Sequence, residues 1–156
     1  MSVEFNGRPS WDQYFLRMLP LIASRSTCFS RQIGAIITKR NRIISTGYNG
    51  SPPGLKHCAE LGGCVRRKAG VPSGEKLEIC RAVHAEKNAI LFSREPSLEG
   101  ATIYVSCTPC TDCMKSIITV GIKRIVHYQE PYPNDLAERL AEEAGVQVDW
   151  IPLGEQ

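Results

Sequence analysis

Hydrophobic and polar residues follow different periods in the two halves of this chain. In the first half, residues 11–25 have the apolar spacing of an amphipathic helix, with Ser10 as its N-cap and a kink or an early end at Pro20. Two runs rich in β-branched residues follow, at 33–38 and 42–46, and the turn residues between them predict a hairpin. The first half therefore predicts one helix and one antiparallel pair of strands.

The second half alternates predicted helices with predicted strands. In chain order, these segments are residues 82–93 (helix), 101–106 (strand), 111–120 (helix), 123–128 (strand), 134–144 (helix) and 146–150 (strand). Asn134 suits the N-cap of the last helix, and Gly145 suits its end. Such alternation is typical of βαβ units with parallel pairing. The chain therefore predicts a single α/β domain over residues 1–156, with a mixed sheet of about five strands and helices on both faces.

Composition argues against several classes of protein. No apolar run approaches the roughly 18 residues of a membrane-spanning helix. Residues 1–10 lack the basic and apolar regions of a signal peptide, so we expect a cytoplasmic protein with no membrane partner. The net charge of +3 is mild. It suits a small anionic ligand, whereas a long nucleic-acid surface would need a more basic chain.

Seven cysteines are many for a chain of 156 residues. In a reducing compartment such cysteines more often bind metals or act in catalysis than form disulfides. Cys110 and Cys113 form a C-x-x-C pair, and three others fall within residues 55–80, a segment without a clear helical or strand period. Because this segment is too long for an ordinary connection, we expect an inserted loop ordered by a metal.

The candidate chemistry lies in two short motifs. His84 and Glu86 form H-x-E, and Cys110 and Cys113 belong to P-C-x-x-C. Together these motifs are the signature of zinc-dependent deaminases. One imidazole and two thiolates leave the fourth position of a tetrahedral zinc ion open, as in catalytic sites. Each motif lies near the start of a predicted helix, where the helix dipole favours thiolates and side chains can converge on one point.

Glu86 is the predicted proton carrier of this site. Its carboxylate can take a proton from a water that attacks a ring carbon, and can deliver protons to the ring nitrogen and the departing ammonia. The alternative is a zinc-stabilised binding module in which Cys107 closes the site as a fourth ligand. Outside that alternative, we expect Cys107 to be a small packed residue.

Six segments carry a further likeness: SRQIGA (30–35), GYNGSP (47–52), VHAEKNAI (83–90), GATIYV (100–105), PCTDC (109–113) and GIKRI (121–125). With them, the chain resembles the deoxycytidylate (dCMP) deaminase family over nearly its whole length. The resemblance implies a cytidine-deaminase-like three-layer α-β-α sandwich, and Glu86 as proton shuttle beside Zn²⁺ on His84, Cys110 and Cys113. It implies hydrolysis of dCMP to dUMP. Cytidine, guanine and tRNA adenosine deaminases share the metal motif and are the alternatives.

The resemblance also implies contacts to the nucleotide. Asn49 would bond the sugar hydroxyl, and its alternative is a turn residue at positive φ, which Asn tolerates. Arg94 follows the Glu86 helix where the family uses a basic phosphate contact, and Arg31 is a second candidate, since arginine can bind phosphate through two parallel bonds. The alternative for both is a solvated surface arginine. The base pocket would be lined by Ser106, Cys107 and Thr108.

The remaining cysteines suggest a second metal site. Four thiols suit a closed structural Zn²⁺ that would order the polar loop, and some relatives carry a second zinc built from this region. The candidate ligands are Cys28, Cys58, Cys64 and Cys80, with His57 as a substitute for one of them. The alternative is four reduced, partly buried thiols.

Assembly and control are implied by the resemblance alone. Members of the family are typically hexamers, activated by dCTP with Mg²⁺ and inhibited by dTTP, with the effector site around a G-Y-N-G loop. The matching residues here are Gly47, Tyr48, Asn49, Gly50 and Ser51. Allostery requires different affinities for two states. The alternative is therefore a constitutive oligomer whose loop closes over the substrate.

Overall fold

The computed structural model describes residues 7–154; residues 1–6 and 155–156, and so most of the segment assessed for a signal peptide, lie outside the described part. Within it, no helix has the length and apolar character needed to cross a membrane. The described α-helices and strands are α1 (Trp11–Ala23), β1 (Gly34–Lys39), β2 (Arg42–Tyr48), α2 (Val65–Lys68), α3 (Ala85–Leu91), β3 (Thr102–Val105), α4 (Thr111–Thr119), β4 (Arg124–His127), α5 (Asp135–Glu143) and β5 (Gln147–Trp150), and a 3₁₀ helix spans Leu77–Ile79.

The five strands form one mixed sheet in the order β2-β1-β3-β4-β5. β1 pairs antiparallel with β2 and β3, whereas β4 pairs parallel with β3 and β5. The hairpin from β1 to β2 turns at Arg40 and Asn41, which both have positive φ, as a two-residue turn that matches the twist of a sheet requires. The predicted mixed sheet is confirmed.

Alternate residues along the strands face two separate hydrophobic clusters. On one face, Ile36, Tyr104 and Val126 pack against α1. On the other face, strand residues that include Ile37 and Ile103 pack with buried residues of α3, α4 and α5. Because successive strand residues point to opposite faces, the sheet is covered on both sides. The predicted three-layer α-β-α sandwich is therefore confirmed.

Helix α1 begins as predicted and continues past Pro20. The Ser10 hydroxyl caps it by accepting the Gln13 backbone N–H at 3.1 Å. Proline lacks an N–H donor but keeps its carbonyl, and the Pro20 carbonyl accepts the Ser24 N–H at 3.1 Å. The helix therefore ends at Ala23, two residues before the predicted end.

Helix α3 begins three residues later than the sequence pattern predicts. Val83 is extended, because it forms an isolated antiparallel bridge with Gly50, with N–H···O distances of 3.1 and 2.8 Å. His84 is consequently the N-cap of α3, and Ala85 is its first helical residue. A long-range backbone pairing therefore replaces what would have been the first turn.

Gly47 and Tyr48, predicted as loop residues, belong to β2, where they pair with Ala35 and Gly34. Gly47 lies directly against α3, and a Cβ at this position would collide with the Ala85 carbonyl. The missing side chain allows α3 to approach β2 closely. This close approach holds the start of α3 against the sheet.

Charged and hydroxyl groups join α1 to the sheet. Arg124 donates two hydrogen bonds to the Asp12 carboxylate, at 2.8 and 2.9 Å, and one to Asp149 at 2.9 Å. The Tyr104 hydroxyl donates to Asp12 at 2.7 Å. The bonds from Arg124 are the main reason why the pKa of Asp12 lies below its ordinary value. Folding is therefore linked to the ionisation of Asp12.

We expect Asp12→Asn to lower the free energy of unfolding at pH 7 by roughly 1–3 kcal/mol, as for the loss of hydrogen bonds to a charged group. Because the folded-state pKa of Asp12 is lowered, its contribution is complete above the unfolded pKa of about 3.9 and is lost as the pH falls through the folded value. Denaturant unfolding near pH 7 and near pH 3 measures this. A difference between wild type and variant of the same size at both pH values would contradict the prediction.

Candidate metal centre and active site

The starts of α3 and α4 bring three possible metal ligands together. His84 Nδ1 lies 3.5 Å from Cys110 Sγ and 3.3 Å from Cys113 Sγ. A donor atom from each residue lies within 4.8 Å of the other two, and residues 7–154 contain no other such group of three or more His, Cys, Asp or Glu. His84 occupies the N-cap position of α3, and Cys110 occupies that of α4. The two helix starts therefore converge on one point, as the sequence predicts.

Local backbone structure holds these ligands in place. Cys110 Sγ accepts the Cys113 backbone N–H at 3.5 Å, which closes the first turn of α4. Upstream, Ser106 anchors the segment that connects β3 to α4, because its hydroxyl accepts the Gly34 N–H at 2.9 Å. His84 directly follows the extended bridge to Gly50. Each ligand is therefore held by the fold on both sides of its motif.

Contacts among the three donors shift their pKa values in different directions. The bond from the Cys113 thiol, supported by His84, lowers the pKa of Cys110 to about 4. The same bond, together with burial, raises the pKa of Cys113. The contact with Cys110 raises the pKa of His84. A metal ion bound between these groups would displace the protons that they carry, because thiolate and neutral imidazole are the ligand forms.

The donor set fits Zn²⁺ with one position left open. One imidazole nitrogen and two sulfurs are ligands that Zn²⁺ prefers, and three protein ligands are typical of catalytic sites. Cys107, the alternative fourth ligand, does not belong to the group of close donors. It packs in the main hydrophobic cluster, and burial raises the pKa of its thiol to about 12. These features favour an open site over a closed structural one.

Glu86 lies beside the three donors. It is the second residue of α3, its Oε2 lies 3.7 Å from Cys113 Sγ, and it is only 4% exposed. Burial raises the pKa of its carboxyl above the ordinary value. A general acid–base group works best when its pKa lies near the operating pH. The position and environment of Glu86 therefore suit the predicted proton carrier.

Asn49 is buried and does not have positive φ. The alternative of a turn residue at positive φ is therefore wrong. Its Oδ1 accepts the Ile33 N–H at 2.9 Å, and its Nδ2 donates to the Arg31 carbonyl at 2.8 Å. One N–H and one acceptor position remain on the side-chain amide. The predicted sugar contact stays a prediction.

The three residues predicted to line the base pocket have different surroundings. Ser106 is fully buried, and its carbonyl accepts the Gln129 N–H at 3.1 Å, so this residue supports the backbone. Cys107 is buried close enough to Glu86 for the carboxylate to help raise its pKa, after burial itself. Thr108 is half-buried, and its hydroxyl accepts the Tyr132 N–H at 3.4 Å. Cys107 and Thr108 are therefore better candidates than Ser106 for direct contact with a bound base.

The two predicted phosphate-binding arginines lie in different places. Arg31 is exposed, donates to Gln129 Oε1 at 3.0 Å, and its charge acts on the Cys107 thiol. Arg94 is exposed beyond the end of α3, while His84 precedes its start. The helix between them is about 10 Å long at 1.5 Å per residue. Arg31 therefore lies near Cys107, whereas Arg94 lies beyond the far end of α3, and both phosphate contacts stay predictions.

The four other cysteines gather in one region. Burial raises the pKa of Cys58, and the nearby thiols of Cys28, Cys64 and Cys80 add to the shift. In the described chain, no three of these sulfurs lie within 4.8 Å of one another. The Nδ1 atom of His57 is buried and has no hydrogen-bond partner among the described residues. The second metal site therefore stays a prediction.

Sequence patterns did not single out Lys87 and Asp112, which form an ion pair between α3 and α4. A signal was present, because Lys87 follows Glu86 and Asp112 lies between the two cysteines of the second motif. Asn88 was also missed; its side chain donates to the Tyr48 carbonyl at 2.8 Å. These residues connect the elements around the site.

A three-layer α/β fold in which an imidazole, two thiols and a buried carboxylate lie close together has the donor set of a metal-binding domain. The family model described as "Cytidine and deoxycytidylate deaminase zinc-binding region" matches residues 9–129. The chain therefore belongs to the cytidine and deoxycytidylate deaminase family, whose members bind Zn²⁺.

Similar proteins include deoxycytidylate deaminases. The one from Mycobacterium phage D29 is 41% identical over 129 residues, which cover 80% of this chain and 98% of the phage protein. The one from Schizosaccharomyces pombe is 40% identical over 147 residues, which cover 93% of this chain and 45% of the yeast protein. The chain thus spans just under half of this relative, and 47% of the Saccharomyces cerevisiae deoxycytidylate deaminase.

A solved structure supports the same fold. The dCMP deaminase of cyanophage S-TIM5, in complex with dCMP and dUMP, has a TM-score of 0.74 and 26% sequence identity. The match covers 92% of this chain and 98% of the phage chain. The predicted cytidine-deaminase-like fold is confirmed.

Proposed function

We propose that this chain hydrolyses the amino group of dCMP, with dUMP and ammonia as products. The observation that carries the proposal is the buried Glu86 carboxylate beside the three-donor site, because it pairs a proton carrier with an open metal position. The substrate is supported by the deoxycytidylate deaminases among similar proteins, and by the nucleotides bound to the S-TIM5 enzyme.

The proposed zinc ligands are His84, Cys110 and Cys113. A Zn²⁺ ion held by these residues would supply the Lewis acidity that activates the attacking water. Glu86 would accept one proton from the attacking water as the water oxygen adds to C4 of the cytosine ring, and would deliver it to ring nitrogen N3. The carboxylate would then take the second proton from the added hydroxyl group and deliver it to the departing amino group. One water is consumed and one ammonia is released.

The proposed substrate contacts come from three segments. Asn49 offers its remaining N–H and acceptor position to the sugar hydroxyl. Cys107 and Thr108 contact the base, and Arg31 binds the 5′-phosphate through its guanidinium. Arg94, beyond the end of α3, is the alternative phosphate contact.

We expect dCMP to give the highest kcat/KM in a panel of dCMP, CMP, deoxycytidine, guanine and an adenosine-containing tRNA stem-loop, assayed by ammonia release. Arg31→Ala should reduce the kcat/KM ratio of dCMP to deoxycytidine about tenfold, because the substitution removes hydrogen bonds to the charged 5′-phosphate. Arg139→Ala, an exposed arginine on α5, is the matched control and should keep the preference.

Other results of this substrate panel would favour the alternative functions. Equal turnover of deoxycytidine and dCMP by the wild type would contradict the nucleotide substrate. Higher activity on cytidine-type nucleosides, guanine or the tRNA stem-loop would favour one of the alternative deaminases. Zinc-loaded protein without turnover of any of the five would favour the zinc-stabilised binding module.

We also propose a second, structural zinc ion held by four cysteines: Cys28, Cys58, Cys64 and Cys80. Their shared neighbourhood supports it, and so does the buried, unbonded Nδ1 of His57, which can replace one sulfur. The Arg67 backbone N–H lowers the pKa of Cys64, which favours the thiolate form of a ligand. The ion would order the inserted segment, residues 55–80. Thiolate ligands persist in reducing compartments, in line with the cytoplasmic location predicted from the sequence.

Protein purified without chelator should contain about two Zn²⁺ per chain, one in each proposed site. Cys58→Ser should contain about one and retain the catalytic ion, because Cys58 lies outside the group formed by His84, Cys110 and Cys113. Mass spectrometry of the metal content measures both values, and limited proteolysis should show faster cleavage within residues 55–80 of the variant. A single zinc per wild-type chain would disprove the second site.

We further propose that the chain forms a homo-oligomer, with the hexamer implied by the family resemblance. Leu91 and Phe92, at the end of α3, are 71% and 65% exposed and offer apolar surface for a subunit contact. Static light scattering tests the assembly, and a monomer would refute it.

The proposed effectors are dCTP with Mg²⁺, and dTTP, bound around residues 47–51. This segment is joined to the catalytic helix, because Gly50 bridges Val83 next to His84 and the Asn88 side chain bonds the Tyr48 carbonyl. An effector that binds more tightly to one arrangement of the segment would therefore act on the start of α3. Kinetics unchanged by saturating dCTP or dTTP would favour the constitutive alternative.

A further inference from the structure

The two helices that carry the metal ligands are also joined by opposite charges. The Lys87 ammonium contacts the Asp112 carboxylate across the gap between α3 and α4. Lys87 follows Glu86 in the first turn of α3, and Asp112 lies between Cys110 and Cys113 in the first turn of α4. The ion pair therefore sits next to the metal ligands on both helices.

Few polar contacts hold these two helix starts together. In the described part of the chain, the others are made by the ligands themselves and by Glu86 with Cys113. Among the described residues, the Lys87–Asp112 pair is thus the polar contact between the α3 and α4 starts that is made by side chains other than the metal ligands and Glu86.

We propose that Lys87 and Asp112 are positioning residues whose ion pair sets the separation of the α3 and α4 starts. Through this separation, the pair presets His84, Cys110 and Cys113 to receive and retain zinc. The inference rests on the proposed zinc ligands. The two side chains are 34% and 68% exposed, so solvent screens the pair. We therefore expect a modest effect on zinc release of about two- to fivefold.

A purely electrostatic role predicts a different pattern. Asp112 without its partner would attract the nearby Zn²⁺, whereas Lys87 without its partner would repel it. If the two residues acted only through the electric field of their charges at the zinc ion, Lys87→Met would slow zinc release and Asp112→Asn would speed it. If the pair positions the helices, both substitutions speed release. The two roles thus predict opposite changes in the zinc-release rate of Lys87→Met.

The test is the rate of zinc transfer from the zinc-loaded full chain to a chromogenic chelator. The proteins compared are the wild type, Lys87→Met, Asp112→Asn and the charge-swapped double variant Lys87→Asp with Asp112→Lys. Lys115→Met, an exposed lysine one turn further along α4, is the matched control. Thermal unfolding of the zinc-free proteins accompanies each rate.

We expect both single variants to release zinc about two- to fivefold faster, the double variant to return toward the wild-type rate, and the control to match the wild type. The zinc-free melting temperatures should stay similar. If a single variant does not fold, Lys87→Gln and the double variant still give the comparison. Opposite shifts in the two single variants, wild-type rates in both, or no recovery in the double variant would overturn the proposal. A wild type that holds no zinc at His84 would instead overturn the proposed function.

Discussion

Replacing Glu86 with glutamine should lower the kcat of dCMP hydrolysis by about 10²- to 10⁴-fold, the usual contribution of a general acid–base group. The amide keeps the size of the side chain and can still accept a hydrogen bond, but it cannot carry the proton from water to the ring and the leaving group. Steady-state ammonia release measures this loss. Glu86→Ala should show a similar loss.

The same substitution should leave the fold and the zinc content unchanged. Glu86 is only 4% exposed, and burial raises the pKa of its carboxyl, so ionising this group is costly in the folded state. A neutral amide removes that cost, and the free energy of unfolding should not fall. Glu142→Gln, an exposed glutamate on α5, is the matched control for the loss of one carboxylate. Normal turnover in Glu86→Ala would refute the mechanism, and loss of zinc would make Glu86 part of the metal site.

Removing a metal ligand should abolish both the metal and the activity. His84→Ala leaves two sulfurs, and we expect its zinc affinity to fall by more than about 100-fold, beyond the usual effect of losing a residue that only supports a ligand. Cys113→Ala should behave in the same way. Metal analysis after gel filtration gives the zinc content, and ammonia release gives the rate. In the wild type, a chelator should remove activity and added Zn²⁺ should restore it.

Cys107→Ala separates the open site from the closed one. If three ligands hold the ion, this variant keeps its catalytic zinc, because Cys107 lies outside the group of close donors. If Cys107 is a fourth ligand, the variant loses zinc together with His84→Ala. A His84→Ala protein that retains a full complement of catalytic zinc would contradict the proposed ligand set.

Local patterns in the sequence were sufficient for the fold class. The alternation of helical and strand periods over residues 82–150 depends on neighbours within a few positions, and it led to the confirmed mixed sheet. The same holds for the metal ligands, because each motif is short and each begins a helix. Strands β3 and β4 pair in parallel, and α4 connects them. The P-C-x-x-C motif at the start of α4 therefore lies at the carboxyl end of β3, and local patterns suffice to place it there.

Long-range contacts decided what the local patterns could not. The start of α3 was predicted three residues too early because the bridge between Val83 and Gly50 joins positions far apart in the chain. Asn49 does not have positive φ, and its side-chain amide forms hydrogen bonds with backbone groups just before β1. The preference of Asn for turns does not reveal these hydrogen bonds. Arg94 is near Glu86 in sequence but is separated from it by the length of α3.

The ion pair of Lys87 with Asp112 shows the same division. Each residue is visible inside a motif, yet their contact exists only because α3 and α4 start side by side. Residue type and spacing are properties of one segment, so the sequence by itself determined the elements and the donor types of this site. Distances between segments arise from packing of the whole core, and therefore only the tertiary structure decided which side chains of different segments contact one another, as Lys87 and Asp112 do.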